Sequence, residues 1–122
     1  MNIKQNYKVF LQRNGKLLMF KKDDLYDGDS LNIERYINKG HIRYVYINKQ
    51  HHNIEQTLYY FAKTSDQYLT QYGKWYNIEE TINLPASPVV NAILKDYYND
   101  GQYNNDIKIV TKNDDIVDFI NL

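Results

Sequence analysis

Tyr7-Lys8-Val9-Phe10-Leu11-Gln12-Arg13-Asn14-Gly15-Lys16-Leu17-Leu18-Met19-Phe20-Lys21-Lys22 decides the fold class of this 122-residue chain. Its first half alternates, with Tyr7, Val9 and Leu11 on one face, which is the period of a strand. Asn14-Gly15 then supplies the residue types that tolerate positive φ at both central positions of a type I′ turn. Residues 17–22 return as the second strand.

Working outward, residues 23–30 are acidic and turn-rich and end in residues able to cap a helix. Residues 31–39 read as a short helix with Ile33, Tyr36 and Ile37 on one side and Gly40 at its C-cap. Residues 41–47 are β-branched and aromatic, hence a strand. Residues 48–56 are polar and loop-like, and residues 57–63 form the next strand. Large side chains on both faces of these two strands suit a central strand or one with an aromatic outer face. In residues 65–84, residues 68–72 and 75–78 form a hairpin about Gly73-Lys74, or residues 78–84 continue as helix. Leu84-Pro85-Ala86-Ser87-Pro88 is extended, because each proline restricts its predecessor. Ser87 as N-cap and Pro88 at the first position start a helix over 88–98. Its apolar stripe is Val89, Val90, Ile93, Leu94 and Tyr97, its wet side Asn91, Lys95 and Asp96, and its stop Asn99-Asp100-Gly101. Residues 107–112 are a last strand, after which Asp114 or Asp115 caps a terminal helical turn carrying Ile116, Phe119 and Ile120. The order of elements is α+β: a mainly antiparallel sheet or small open β-barrel with two or three short helices. Length allows one globular domain over residues 1–122.

Composition narrows the function classes. With no cysteine there is no disulfide framework, cysteine zinc site or thiol nucleophile. No apolar run approaches the roughly 20 residues of a membrane span, and the first six residues lack a secretory pattern; a cytoplasmic location is expected. The net charge is zero, but residues 1–61 carry ten Lys and Arg against six Asp and Glu, and residues 62–122 carry five against nine. Such asymmetry gives a basic face if the halves do not intermix in space. The thirteen tyrosines are enriched alongside Asn, Ile and Lys, all with AT-rich codons, so base composition accounts for part of the excess.

Asp23, Asp27, Gly28 and Glu34 fall on calcium-loop spacing, but Leu25 stands where a ligand is needed and the preceding segment is a strand. His51 and His52 are adjacent in a polar segment and His41 begins a strand, which is not zinc-ligand spacing. Ser30 and Ser87 serve as caps and Ser65 lies in a loop; none occupies a nucleophile elbow. Glu79-Glu80 and Asp114-Asp115 are neighbours that diverge in a strand, and the glycines are isolated. The expectation is therefore a binding protein rather than an enzyme, with no catalytic residue, metal ligand or cofactor.

Cations interleaved with aromatics remain. Lys39-Gly40-His41-Ile42-Arg43-Tyr44-Val45-Tyr46 fails the RNA-recognition strand pattern at its third to fifth positions. A broader stacking face is still available from Lys39, Arg43, Tyr44, Tyr46, Tyr59, Tyr60 and Lys63, with rings for bases and cations for phosphates. The competing use of those tyrosines is as core under helix 88–98, with hydroxyls reaching solvent. The length, the β-rich order, the tyrosine-bearing strands 41–47 and 57–63 and the Leu84-Pro85-Ala86-Ser87-Pro88 helix entry resemble small regulators of Gram-positive conjugative plasmids of the PrgU type. That resemblance implies a PUA-like fold and RNA binding that limits expression of conjugation or surface genes, and it carries over no individual residue. RNA is thus the first expected partner. A protein partner, as for a phage or plasmid inhibitor using the acidic half, is the alternative, and a homodimer is a further use of an aromatic face.

Overall fold

A computed structural model describes residues 2–65 and 72–122. β1 (Asn2–Arg13) and β2 (Lys16–Lys22) form the opening hairpin, with Leu11 opposite Leu18 and Arg13 opposite Lys16. Asn14 and Gly15 have φ of 51° and 74°, the pair of positive angles a type I′ turn requires. There follow β3 (Leu25–Asp27), α1 (Ile33–Tyr36), β4 (Gly40–Gln50), β5 (Asn53–Lys63), β6 (Lys74–Asn77), α2 (Ile78–Thr81), α3 (Pro88–Asn99), a 3-10 turn (Gly101–Tyr103), β7 (Lys108–Asn113) and β8 (Ile116–Asn121).

The strands make one open, mixed sheet in the order β3-β2-β1-β5-β4-β7-β8, with β6 added along β2. Antiparallel pairings dominate; β1 with β5 and β4 with β7 are the parallel ones. The α+β expectation therefore holds in its open-sheet form, and the sheet does not close into a barrel. Among the described residues no helix is long and apolar enough to cross a membrane.

β5 lies at the centre, between β1 and β4, and its residues 57–62 are buried on both faces. One face gives Tyr59 and Phe61 to a core with Phe10, Tyr44 and the α3 stripe of Val89, Val90, Ile93, Leu94 and Tyr97. The other gives Leu58, Tyr60 and Ala62 to a second core with Val9, Leu11, Leu18 and Tyr36. Ser87 caps α3, its Oγ accepting from Val90 N at 3.3 Å, with Pro88 in the first turn, as the sequence indicates.

Four local expectations are corrected. The polar residues 48–56 are strand, not loop: β4 and β5 run on as an arm, with β1 paired along β5, to a turn at His51-His52, where His51 has φ of 50°. Polar side chains suit strand there because the arm projects past the core, and Asn6 Nδ2 donates to Glu55 Oε1 at 2.6 Å across β1 and β5. The helix expected over 31–39 is a single turn. Buried Asp29 accepts from the backbone N–H of Leu31 and Asn32, and Gly40 already belongs to β4. A Cβ on Gly40 would lie 3.0 Å from the Ala62 Cβ, so close strand packing, not a C-cap, requires that glycine. The terminal residues form β8 instead of a helical turn. Asp114 takes positive φ, and Val117 and Phe119 turn inward while Ile116 and Ile120 stay exposed, a period of two. Lastly, β6 pairs with β2; the arm proposed over residues 68–72 falls largely outside the described residues. Ile78–Thr81 gives one turn of the helix considered for 78–84.

Candidate functional site

The register of β4 against β5 slips between Ile42, opposite Tyr60, and Tyr44, opposite Tyr59, leaving Arg43 as the extra residue of a β-bulge. A bulge breaks strict alternation and re-aims side chains. Here Ile42 and Val45 pack toward the α1 core, while Arg43 and Tyr44, though adjacent, both reach the α3 side.

Arg43 is buried and held at three points. Its Nε donates to the Asp106 carbonyl at 3.0 Å, and its Nη2 donates to the Gly101 carbonyl at 2.5 Å and to Asn104 Oδ1 at 3.1 Å. The guanidinium lies 5.8 Å from the centre of the Tyr97 ring, within cation–π range. Tyr44 donates its hydroxyl to Asp96 Oδ2 at 2.7 Å. Lys108 on β7 bonds the same carboxylate at 2.9 and 3.0 Å and Asp100 at 2.7 Å. Asp96, expected on the wet side of α3, is therefore half-buried and turned onto the sheet. Burial and the adjoining Asp96 carboxylate hold the Tyr44 phenol far above its ordinary range. Burial alone would lower the Lys108 ammonium, but its carboxylate partners outweigh that and raise it. Hydrogen bonding from Lys108 correspondingly lowers Asp100.

This clamp fixes the C-terminal end of α3 and the 3-10 turn over the end of the sheet, and a cleft of about 310 Å³ opens beside it. Lys39, His41, Arg43 and Lys63 bring positive or protonatable groups to the cleft. Gln12, Gln102, Asn104 and Asn105 bring carboxamides, and Phe61, Ala62 and Tyr97 form the apolar part of its wall. No Asp or Glu lines it. Tyr97 donates its hydroxyl to Gln12 Oε1 at 2.5 Å and stacks on Phe61 with ring centres 3.9 Å apart. Burial raises the Tyr97 phenol, partly countered by Arg43. Among the described residues no group of three or more His, Asp or Glu can hold a metal ion. The calcium-spaced acids serve other ends: Asp23 has positive φ in the turn after β2, and Asp27, in β3, pairs with Lys8 at 3.2 Å.

The seven residues picked out from the sequence separate. Lys39, Arg43 and Lys63 meet at the cleft. Tyr44 and Tyr59 are buried in the α3-side core, with Tyr46 packed against it; Tyr60 lies on the opposite face near Tyr7, ring centres 6.4 Å apart. The sequence reading missed Gln12, Tyr97, Gln102, Asn104 and Asn105 and treated His41 as structural. Gln12 and Tyr97 are 85 residues apart, and no local pattern links them.

No protein-family model matches the sequence, and no curated protein matches it. Among solved structures, the fold is similar to that of a mutator MutT protein from Bacillus halodurans, with a TM-score of 0.61 over 96% of this chain and 94% of that one, at 9% sequence identity. The finding overturns the PrgU-type resemblance and its PUA-like fold. With them go the RNA-binding, plasmid and conjugation setting, the alternative of a phage or plasmid inhibitor, and the expectation of a non-enzyme. At this identity the likeness establishes the fold; the chemistry has to come from this chain's own residues.

Proposed function

We propose that the cleft binds a small phosphate-bearing molecule and that the protein is an enzyme acting on it, with hydrolysis of a phosphate ester or anhydride as the reaction class. The observation that carries the reading is the lining: Lys39, His41, Arg43 and Lys63 surround one cavity that contains no carboxylate. Cations gathered without counter-ions repel one another, and an anionic ligand relieves that repulsion. Arg43 has the pre-set geometry such a role needs. Its Nε and Nη2 are committed to the turn, and Nη1 has no hydrogen bond among the described residues. Lys39 and Lys63 are exposed point charges able to close on phosphate oxygens. His41, at the rim, supplies a ring nitrogen able to give a proton to a departing oxygen as water attacks phosphorus. The fold likeness to the mutator MutT protein supports reading the chain as an enzyme.

We place the protein in the cytoplasm, where phosphorylated metabolites are held, and take residues 1–122 as one domain, since the cleft draws on residues from Gln12 to Asn105. The test is a thermal-shift titration with pyrophosphate, followed by assays of phosphate release from a panel of monoesters and anhydrides. Pyrophosphate is expected to raise the Tm, because a ligand bound only by the folded state stabilises it. A Lys39→Gln/Lys63→Gln variant is expected to lose that rise with its own Tm unchanged. No shift with the native protein, or an equal shift with the variant, would contradict the reading.

A further inference from the structure

The cations account for one part of the cleft; the remainder of its wall bears on what the phosphate is attached to. Resting on the phosphate reading above, we infer that the ligand is a phosphorylated sugar or polyol and not a nucleotide. Three observations converge. First, no Phe, Tyr or Trp face is free in the wall: Phe61 and Tyr97 are 6% and 4% exposed and are stacked on each other at 3.9 Å, and the exposed ring there, His41, is the one assigned above to the leaving oxygen of the phosphate. Recognition of a nucleobase commonly uses an open ring on which the base stacks. Tyr103 is exposed in the neighbouring turn but is not part of the cleft.

Second, the wall holds unspent carboxamide groups. Asn104 is largely used, its Oδ1 accepting from Arg43 and from the Asp106 N–H and one of its two Nδ2 hydrogens donated to the Asp100 carbonyl. Gln12 accepts through Oε1 from Tyr97, which leaves its NH₂ group without a partner among the described residues. Gln102 donates to the Tyr98 carbonyl at 2.7 Å and keeps its carbonyl oxygen. Asn105 is exposed and retains both. Each hydroxyl of a polyol donates one hydrogen bond and accepts others, so a row of hydroxyls matches a wall offering both donors and acceptors. Third, at about 310 Å³ the cleft stands at the small end of the roughly 300–1,000 Å³ range of ligand pockets, which favours a compact ligand.

The experiment is isothermal titration of the full chain with a hexose monophosphate, inorganic phosphate, a nucleoside monophosphate and the free hexose. The hexose phosphate is expected to bind at least about tenfold more tightly than each of the other three, about 1.4 kcal/mol. Asn105→Ala is expected to narrow the ratio between hexose phosphate and inorganic phosphate several-fold. A nucleoside monophosphate binding as tightly as the hexose phosphate overturns the sugar inference and leaves the phosphate reading standing. So does a hexose phosphate no tighter than inorganic phosphate. A free hexose as tight as its phosphate overturns the phosphate reading instead. Binding by none of the four overturns both.

Discussion

Gly101 lies where three groups converge: a Cβ there would stand 2.5 Å from the Tyr44 hydroxyl, 3.1 Å from the Tyr97 ring and 3.6 Å from Arg43 Nη2. None can retreat freely, since Tyr44 is tied to Asp96 and Arg43 to the turn itself. Overpacking of this kind costs about 1–3 kcal/mol, so Gly101→Ala is expected to lower the unfolding free energy measured by urea denaturation by an amount in that range. The effect should extend to the cleft, because the Gly101 carbonyl is one of Arg43's anchors. Tyr44→Phe removes one donor from a carboxylate that keeps two contacts to Lys108, and a loss of about 1 kcal/mol is expected from equilibrium unfolding. The same groups set the pH profile. Asp100 is lowered below 3.8 in the folded state, so its contribution is present above that value and is lost as pH falls through the folded pKa beneath it. Tyr44 and Tyr59 are raised above 10.0 and Lys108 above 10.5. Their contributions are full below those values and are lost as pH rises through the folded pKa values. In an alkaline titration, the phenolate absorbance of Tyr44 and Tyr59 should appear only with unfolding. A smooth titration of all tyrosines with the fold intact would contradict that assignment.

Elements were legible where one local rule decides them. Asn14-Gly15 fixes its turn through φ, and Ser87-Pro88 starts α3 through a cap and a missing donor. Replacing Ser87 by alanine should cost about 1 kcal/mol, read as a lower thermal midpoint. Rules failed where tertiary context supplied the partner. The 53–56 segment looks like loop by composition, yet it is held on both edges, by β1 and by β4. At the C-terminus, Ile116, Phe119 and Ile120 have helical spacing, but pairing with β7 imposes a period of two and turns Val117 inward. The bulge at Arg43 is the least visible feature of all. Alternation read across 41–47 assigns Arg43 and Tyr44 to opposite faces, whereas one unpaired residue puts both on the α3 side.

At the scale of the molecule, the open α+β sheet was within reach of the sequence and the cleft was not. Lys39, Arg43 and Lys63 were singled out for their charge, and they do meet, but for a reason the sequence does not carry. β5 must sit beside β4 to bring Lys63 near Lys39, and the clamp at Asp96, Asp100 and Lys108 must fold the turn over Arg43. The tyrosines chosen with them were divided between two cores by the same alternation that suggested a stacking face. What remains at the surface is a cavity walled by cations and carboxamides, small enough for a compact anion. The most direct measurement of the central claim is a calorimetric titration of pyrophosphate into the native chain and into Lys39→Gln/Lys63→Gln at low salt, where exposed charges are least screened. The account predicts saturable one-site binding by the native chain and weakening of at least about tenfold in the variant, in line with roughly 1.5–3 kcal/mol per hydrogen bond to a charged group. No binding by the native chain, or equal affinity in the variant, would contradict it.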